Sequence, residues 1–168
     1  MIVPAQQYEI ELKQLYYNTF YDSKYMYYRG CWGASELQIP NNNYDSHHFA
    51  IIENGEVVGY VAYAINFASK VANNFGIISF KPNLCFGRDL LKIIDDIFNK
   101  YNMNKIEFRA YLDNPVIRHY YKFTEKFGGR LVGILKDTVM LEDGKLHDEV
   151  MFEMFKKDYS LKKFRVPK

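Results

Sequence analysis

Residues 75–101 decide the fold: Phe75-Gly76-Ile77-Ile78-Ser79-Phe80, then Lys81-Pro82-Asn83-Leu84-Cys85-Phe86-Gly87, then Arg88-Asp89-Leu90-Leu91-Lys92-Ile93-Ile94-Asp95-Asp96-Ile97-Phe98-Asn99-Lys100-Tyr101. The first run is β-rich, and Pro82, which supplies no ladder donor, ends it. The period then changes. Leu90, Leu91, Ile93, Ile94, Ile97, Phe98 and Tyr101 fall on one face at 3.6-residue spacing, with Lys92, Asp95, Asp96 and Lys100 opposite, which predicts a helix over 87–101. Beyond it, Ile106, Phe108, Ala110 and Leu112 alternate with Glu107, Arg109, Tyr111 and Asp113, the pattern of a half-buried strand. A strand–helix–strand unit through 75–112 requires a parallel, right-handed crossover.

Working outward, Asn114-Pro115 places a capping residue and a first-turn proline before a helix that Gly128-Gly129 stops. Residues 130–141 and 149–155 make a hairpin around Glu142-Asp143-Gly144-Lys145. In the other direction, 49–52 and 57–66 are strands joined by Asn54-Gly55, a strong hairpin signal. A loop is predicted around 71–74, and another over 30–46, which is rich in Gly, Pro and Asn. Residues 7–28 carry one or two helices on Leu12, Leu15, Tyr16 and Phe20, after a short strand at Ile2-Val3-Pro4. The result is an α/β chain: a mixed central sheet of six to seven strands with helices on both faces. It reads as one domain over 1–160 with a basic tail at 161–168.

A chain of 168 residues suits a single hydrophobic core. Its 22 Lys and Arg against 20 Asp and Glu, for a net charge of +2, argue against a nucleic-acid binder, whose footprint is a clustered basic patch. The one basic cluster, Lys162-Lys163-Phe164-Arg165, reads as a solvated terminus. Cys31 and Cys85 are too few and too far apart for a disulfide framework or a zinc site, so no metal is expected. The first residues lack a signal-peptide core and no apolar run is long enough to span a membrane, which leads to an expected cytoplasmic location.

The order of elements, and the spacing from Phe75 onward, resembles the GNAT family of acyl-coenzyme A-dependent N-acyltransferases over roughly 2–159. In that family a Gly-rich loop after the fourth strand opens the next helix and wraps the coenzyme A pyrophosphate, using free backbone N–H groups and the positive helix end. Here only Gly87 remains of the glycines, with Pro82 and Cys85 at the other motif positions. Family members also carry an Asn at the end of the fifth strand and a Tyr seven residues later, matched by Asn114 and Tyr121. Counting back from Gly128-Gly129 places that tyrosine position on Thr124 instead.

The resemblance implies an N-acetyltransferase that moves an acetyl group from acetyl-coenzyme A to an amine of a small molecule or peptide, as a monomer or homodimer. It implies coenzyme contacts at Ile78, Phe80, Cys85, Phe86, Gly87, Arg88, Asp89 and Asn114. It further implies a strand amide within 77–79 that polarises the thioester carbonyl and a phenol facing the leaving thiolate, Tyr121 first and Tyr120 second. Glu107, Asp113, His47, His48 and His119 are weighed as bases and none is chosen. The aromatic run Tyr25-Met26-Tyr27-Tyr28-Arg29-Gly30-Cys31-Trp32 is the expected acceptor wall. The competing reading is a GNAT-fold module without acyl transfer, favoured by Pro82 and Cys85.

Overall fold

The computed structural model describes residues 1–29 and 36–159. Gly30, Cys31 and Trp32 of the expected acceptor wall, and the basic tail, lie outside them. The strands are β1 (Ile2–Pro4), β2 (Ser46–Glu53), β3 (Glu56–Asn66), β4 (Val71–Ser79), β5 (Lys105–Tyr111), β6 (Gly129–Met140) and β7 (Leu146–Phe155). The helices are α1 (Glu9–Asn18), the single turn α2 (Met26–Arg29), α3 (Phe86–Asp95), which continues as a wider turn to Lys100, and α4 (Ile117–Phe127). The seven strands form one sheet in the order β1-β2-β3-β4-β5-β7-β6, in which β4 and β5 are the parallel pair. No helix among the described residues is long and apolar enough to cross a membrane.

Local chemistry accounts for the boundaries. Asn54 and Gly55 both take positive φ, 52° and 83°, which is what a two-residue turn needs to match the strand twist of a hairpin. Gly128 ends α4 in the left-handed conformation at φ 83°, and a methyl there would collide with the Asp158 carbonyl. Asn114 Oδ1 accepts the Val116 N–H at 3.0 Å, so the turn before α4 is held by the residue expected to cap it.

The core has two main halves, one on each face of the sheet. On one face Ile93, Ile94, Ile97 and Phe98 of the α3 segment bury against Val61, Tyr63, Ile106 and Met154. Leu90 and Leu91, expected in that face, are only half-buried. On the other face Leu12 and Tyr16 of α1 pack on Ala50, Ile52, Tyr60 and Ile78. Helices therefore cover both faces, as the pattern requires.

One expectation fails in a way that builds the site. The loop predicted over 71–74 is instead the start of β4, and the turn falls before it, where Lys70 has φ 58°. Asn73-Asn74 reads as loop because Asn disfavours strands. In the fold it marks a bulge: the β3–β4 register slips between Ala62 and Ala64, and Asn74 takes φ 53°. A bulge bends its strand. Consequently β4 pairs with β5 only at Val71↔Lys105 and Ala72↔Ile106, and beyond that point the two strands part.

Candidate active site

The parting of β4 and β5 leaves a cleft of about 920 Å³ that runs through the sheet, within the usual range for small-molecule sites. Its walls are residues 73–79 of β4 and 106–111 of β5. On the α3 face it is lined by Phe86, Gly87, Leu90 and Ile94, and by Asn114, His119, Tyr120 and Phe123 at the start of α4. On the α1 face it is lined by Tyr16, Tyr27, Tyr28, Leu37 and Tyr60. Two different mouths thus meet at the free edge of β4.

That edge presents main-chain donors. Phe80 N–H bonds Val58 O at 3.0 Å, towards β3. Strand alternation turns Ile78 the same way, since Ile78 pairs with Tyr60 on β3. The amides of Ile77 and Ser79 therefore face the cleft. Of the expected coenzyme contacts on this strand, Ile78 lines the cleft with its amide turned towards β3, and Phe80 lies beyond the cleft lining with its carbonyl held by the Tyr25 hydroxyl at 2.8 Å. Burial raises the Tyr28 phenol, while the Ser79 N–H, which donates to its oxygen, pulls it back.

The first turn of α3 is the second feature. Its first intrahelical bond is Asp89 N–H to Cys85 O, 2.9 Å, so the three preceding amides have no helical acceptor. Asn83 Oδ1 takes the Phe86 N–H at 2.8 Å, which leaves those of Gly87 and Arg88 for an anion. A Cβ on Gly87 would meet nothing within 4 Å, so the approach to these amides is open.

The side chains around this turn are arranged differently from the expectation. Cys85 is buried, with burial pushing its thiol upward, and packs in the core. Asp89 is fully buried and accepts from the Met1 amine at 2.9 Å, Arg88 Nε at 3.1 Å and Lys92 Nζ at 3.3 Å. Burial alone would raise its carboxyl, but these three cations hold it below the usual range. Cys85 and Asp89 therefore contribute packing and charge pairing beneath the turn, and their side chains do not reach the cleft. Arg88 remains largely exposed beside them.

On α4 the two tyrosines face different surroundings. Tyr120 lines the cleft, edge-on to Phe108 at 5.6 Å, and burial pushes its phenol up to about 12. Tyr121 is not among the cleft residues; it stands edge-on to Phe152 of β7 at 5.2 Å and is 36% exposed. The Thr124 hydroxyl is committed to the helix carbonyls of Tyr120 and Tyr121, at 3.0 and 2.9 Å.

The residues weighed as bases scatter. Glu107 lines the cleft but pairs with Lys105 Nζ at 2.5 Å. Asp113 holds His147 Nδ1 at 2.7 Å. His47 is buried among Phe49, Tyr63 and Tyr101 on the α3 face. His119 is exposed at the cleft rim. His48 bonds the hydroxyl of Tyr60, which lines the cleft.

This architecture recurs in solved structures. The spermidine N-acetyltransferase from Vibrio cholerae in complex with CoA and spermine superposes with a TM-score of 0.73, over 95% of this chain and 96% of that one, at 18% identity. The chain has the GNAT fold. A spermidine N-acetyltransferase chimera from Vibrio cholerae and hSSAT gives a TM-score of 0.59 over 70% of each chain at 22% identity. A probable acetyltransferase gives 0.60 over 69% of this chain and 64% of that one at 18% identity. No family model matches the sequence, and no curated protein does. The GNAT fold is thus recovered through its architecture, with sequence identity far below the level at which residue roles transfer.

Proposed function

We propose that the chain transfers an acetyl group from acetyl-coenzyme A to the amine of a small molecule. The observation that carries this reading is the cleft through the sheet, which joins an open helix N-terminus on one face to a tyrosine-lined chamber on the other. Coenzyme A phosphates sit at Gly87 and Arg88, and the pantetheine arm follows the free edge of β4 past Leu90 and Asn114. The thioester carbonyl accepts from the amide of Ile77, next to the Ser79 amide that Tyr28 engages, an oxyanion-hole arrangement that stabilises charge developing in the transition state.

Tyr120 faces the departing sulfur. A thiol has a reference pKa of about 8.5, far below a phenol held up at about 12. Tyr120 therefore stays protonated and donates a hydrogen bond to the thiolate without surrendering its proton. The acceptor amine enters from the α1 face, between Tyr16, Tyr27 and Tyr28. The fold shared with a spermidine N-acetyltransferase in complex with spermine supports an amine acceptor of that class. The reaction is assigned to the cytoplasm, where acetyl-coenzyme A is available, with no nucleic-acid or membrane partner. Exposed Leu131, Val132, Ile134 and Leu135 along the edge strand β6 support a homodimer over a monomer.

A binding module without turnover is the second reading. Its support is Asn83, which takes one of the three α3 amides that the phosphates would otherwise share. The test is release of free thiol from acetyl-coenzyme A with spermine, spermidine, an aralkylamine and a lysine peptide as acceptors. Its companion is a thermal-shift titration with acetyl-coenzyme A, because a ligand that binds only the native state raises its stability. Thermal stabilisation with thiol release supports transfer, stabilisation without release selects the binding module, and neither response discards both.

A further inference from the structure

Among the described residues of the cleft, Glu107 is paired with Lys105, Glu149 with Arg109, and His119 stands exposed at the rim, whereas the aromatic chamber on the α1 face contains a buried route for the amine proton. Tyr60 lies on β3, one strand from the β4 amides, opposite Ile78. It is buried and lines the cleft. On its other side its hydroxyl meets His48 Nδ1 at 2.6 Å, and His48 Nε2 meets Ser46 Oγ at 2.9 Å. His48 pairs with Ala62 and Tyr60 with Ala50, so the two are diagonal neighbours on one face of the hairpin.

The histidine is fixed in place from behind. Asn42 Oδ1 accepts the His48 N–H at 2.6 Å, and Asn42 Nδ2 donates to the His48 carbonyl at 3.1 Å. Asn43 Oδ1 accepts the N–H of Ser46 at 2.7 Å, which sets the serine against the ring. Tyr60 is buried whereas His48 and Ser46 are half-buried, so the chain of groups leads from the cleft towards solvent.

We propose that Tyr60 and His48 form a proton relay that takes the proton from the acceptor nitrogen during acetyl transfer. As the nitrogen bonds to the thioester carbon, its N–H bond breaks and a bond forms to Tyr60 Oη. In the same event the Tyr60 O–H bond breaks and its proton goes to His48 Nδ1. His48 becomes an imidazolium and later releases a proton to water past Ser46. The two transfers are concerted, because burial pushes the Tyr60 phenol up to about 12 and a free phenolate is disfavoured. Burial, aided by neighbouring His47, lowers the pKa of His48, so the ring is neutral and ready to accept near neutral pH. Tyr60 and Ser46 are the groups bonded to the ring, and His47, on the same strand, is the nearby charge-bearing group.

This inference rests on the acetyltransferase reading, and two measurements separate their fates. The first needs no turnover: nitrogen NMR of the neutral His48 ring. The relay requires the proton on Nε2, donated to Ser46, with Nδ1 bare to accept from Tyr60. A proton found on Nδ1 would mean that Tyr60 accepts and cannot pass its proton on, which overturns the relay and leaves the proposed function standing. The second is the pH profile of kcat with acetyl-coenzyme A and whichever amine of the above panel turns over, for Tyr60→Phe and His48→Gln. Loss of general-base assistance lowers kcat by ~10²-fold or more at pH 7. The acid limb set by His48 should vanish in both variants, with rates climbing into alkaline pH, and the double variant should be no slower than either single one. A uniform loss at every pH with the limb retained, or no loss at all, overturns the relay. Tyr60→Phe keeps the ring and its packing, so it carries the test if His48→Gln fails to fold. Should the wild-type protein bind acetyl-coenzyme A and acetylate nothing in the panel, the acetyltransferase reading falls and the relay falls with it.

Discussion

The ring of Phe86, at the first turn of α3, lies directly on the bare backbone of Gly59 in β3, where any Cβ would overlap its Cε2 and Cδ2 atoms. The contact fixes how closely the N-terminus of α3 approaches the sheet, and hence where the amides of Gly87 and Arg88 sit at the cleft mouth. Gly59→Ala should therefore act at a distance. Overpacking of this kind costs ~1–3 kcal/mol, visible as a lower thermal midpoint, and calorimetry should show weakened acetyl-coenzyme A binding. A stable Gly59→Ala protein with unchanged affinity would show that the first turn of α3 is not positioned by this contact.

The tyrosines of α4 give a direct comparison. Tyr120→Phe removes the hydroxyl that faces the cleft and should lower kcat by ~10–10²-fold with little change in KM, since the hydrogen bond matters most in the transition state. Tyr121→Phe, on the Phe152 side of the helix, should leave both parameters near wild type. The reverse outcome would mean that α4 rotates when ligand binds.

Charge at α3 predicts a difference between two neighbouring substitutions. Asp89→Ala strips three cations of their buried partner and should cost ~1.5–3 kcal/mol, the range for hydrogen bonds to charged groups. Arg88→Ala removes an exposed group and should leave urea stability within about 0.5 kcal/mol. At low ionic strength it should nevertheless weaken acetyl-coenzyme A binding, with the effect fading as salt is added. Equal stability losses in both variants would contradict the buried–exposed asymmetry.

His147 makes stability depend on pH. Its ring bonds Asp143 Oδ1 at 3.0 Å and Asp113 Oδ2 at 2.7 Å, and Tyr27 of α2 stands edge-on to it. The bond to Asp143 raises its pKa, burial opposes, and Asp113 raises it further. A histidine pKa raised in the folded state stabilises the fold fully below the unfolded value of about 6.5, and the gain is lost as pH rises through the folded value. Urea midpoints should thus decline across that alkaline-side window in the wild type, and His147→Gln should remove that part of the slope. An unchanged slope in the variant would assign the dependence to other groups.

The sequence was legible where one local rule decided the outcome. The apolar stripe from Leu90 to Phe98, the Asn54-Gly55 turn, the Asn114 turn and the Gly128 stop each follow from backbone chemistry within a few residues, and each is in the structure. Together they were enough for the order of elements along the chain and for the parallel crossover from β4 to β5, while the order of strands across the sheet came only from the structure. The site was read less well because it depends on phase. A shift of one residue on β4 decides whether an amide faces the cleft, as those of Ile77 and Ser79 do, or β3, as that of Ile78 does, and a step of one on α4 decides that Tyr120 and not Tyr121 lines the cleft. Both phases are set by partners distant in sequence: Val58 for the strand, Phe108 and Phe152 for the helix.

His48 and Tyr60 make the limit plain. The chain by itself determined that Asn54-Gly55 would fold β2 back on β3 with Tyr60 on that hairpin, but it set His48 just before a strand read over 49–52; in the structure β2 begins at Ser46 and takes in His48. Counted without interruption from the pairs Glu53↔Glu56 and Ile52↔Val57, the ladder would set His48 opposite Val61, on the face away from Tyr60. The structure has one extra residue on β3 at this point, with the register slipping between Ile51 and Ile52, and His48 is opposite Ala62. Side chains alternate with a period of two, so that single residue moves His48 to the other face and brings its ring to the Tyr60 hydroxyl. Whether the bulge forms depends on how both faces of β3 pack, Val58 against the α3 side and Val57 against the α1 side, and that is decided only when the helices close over the sheet.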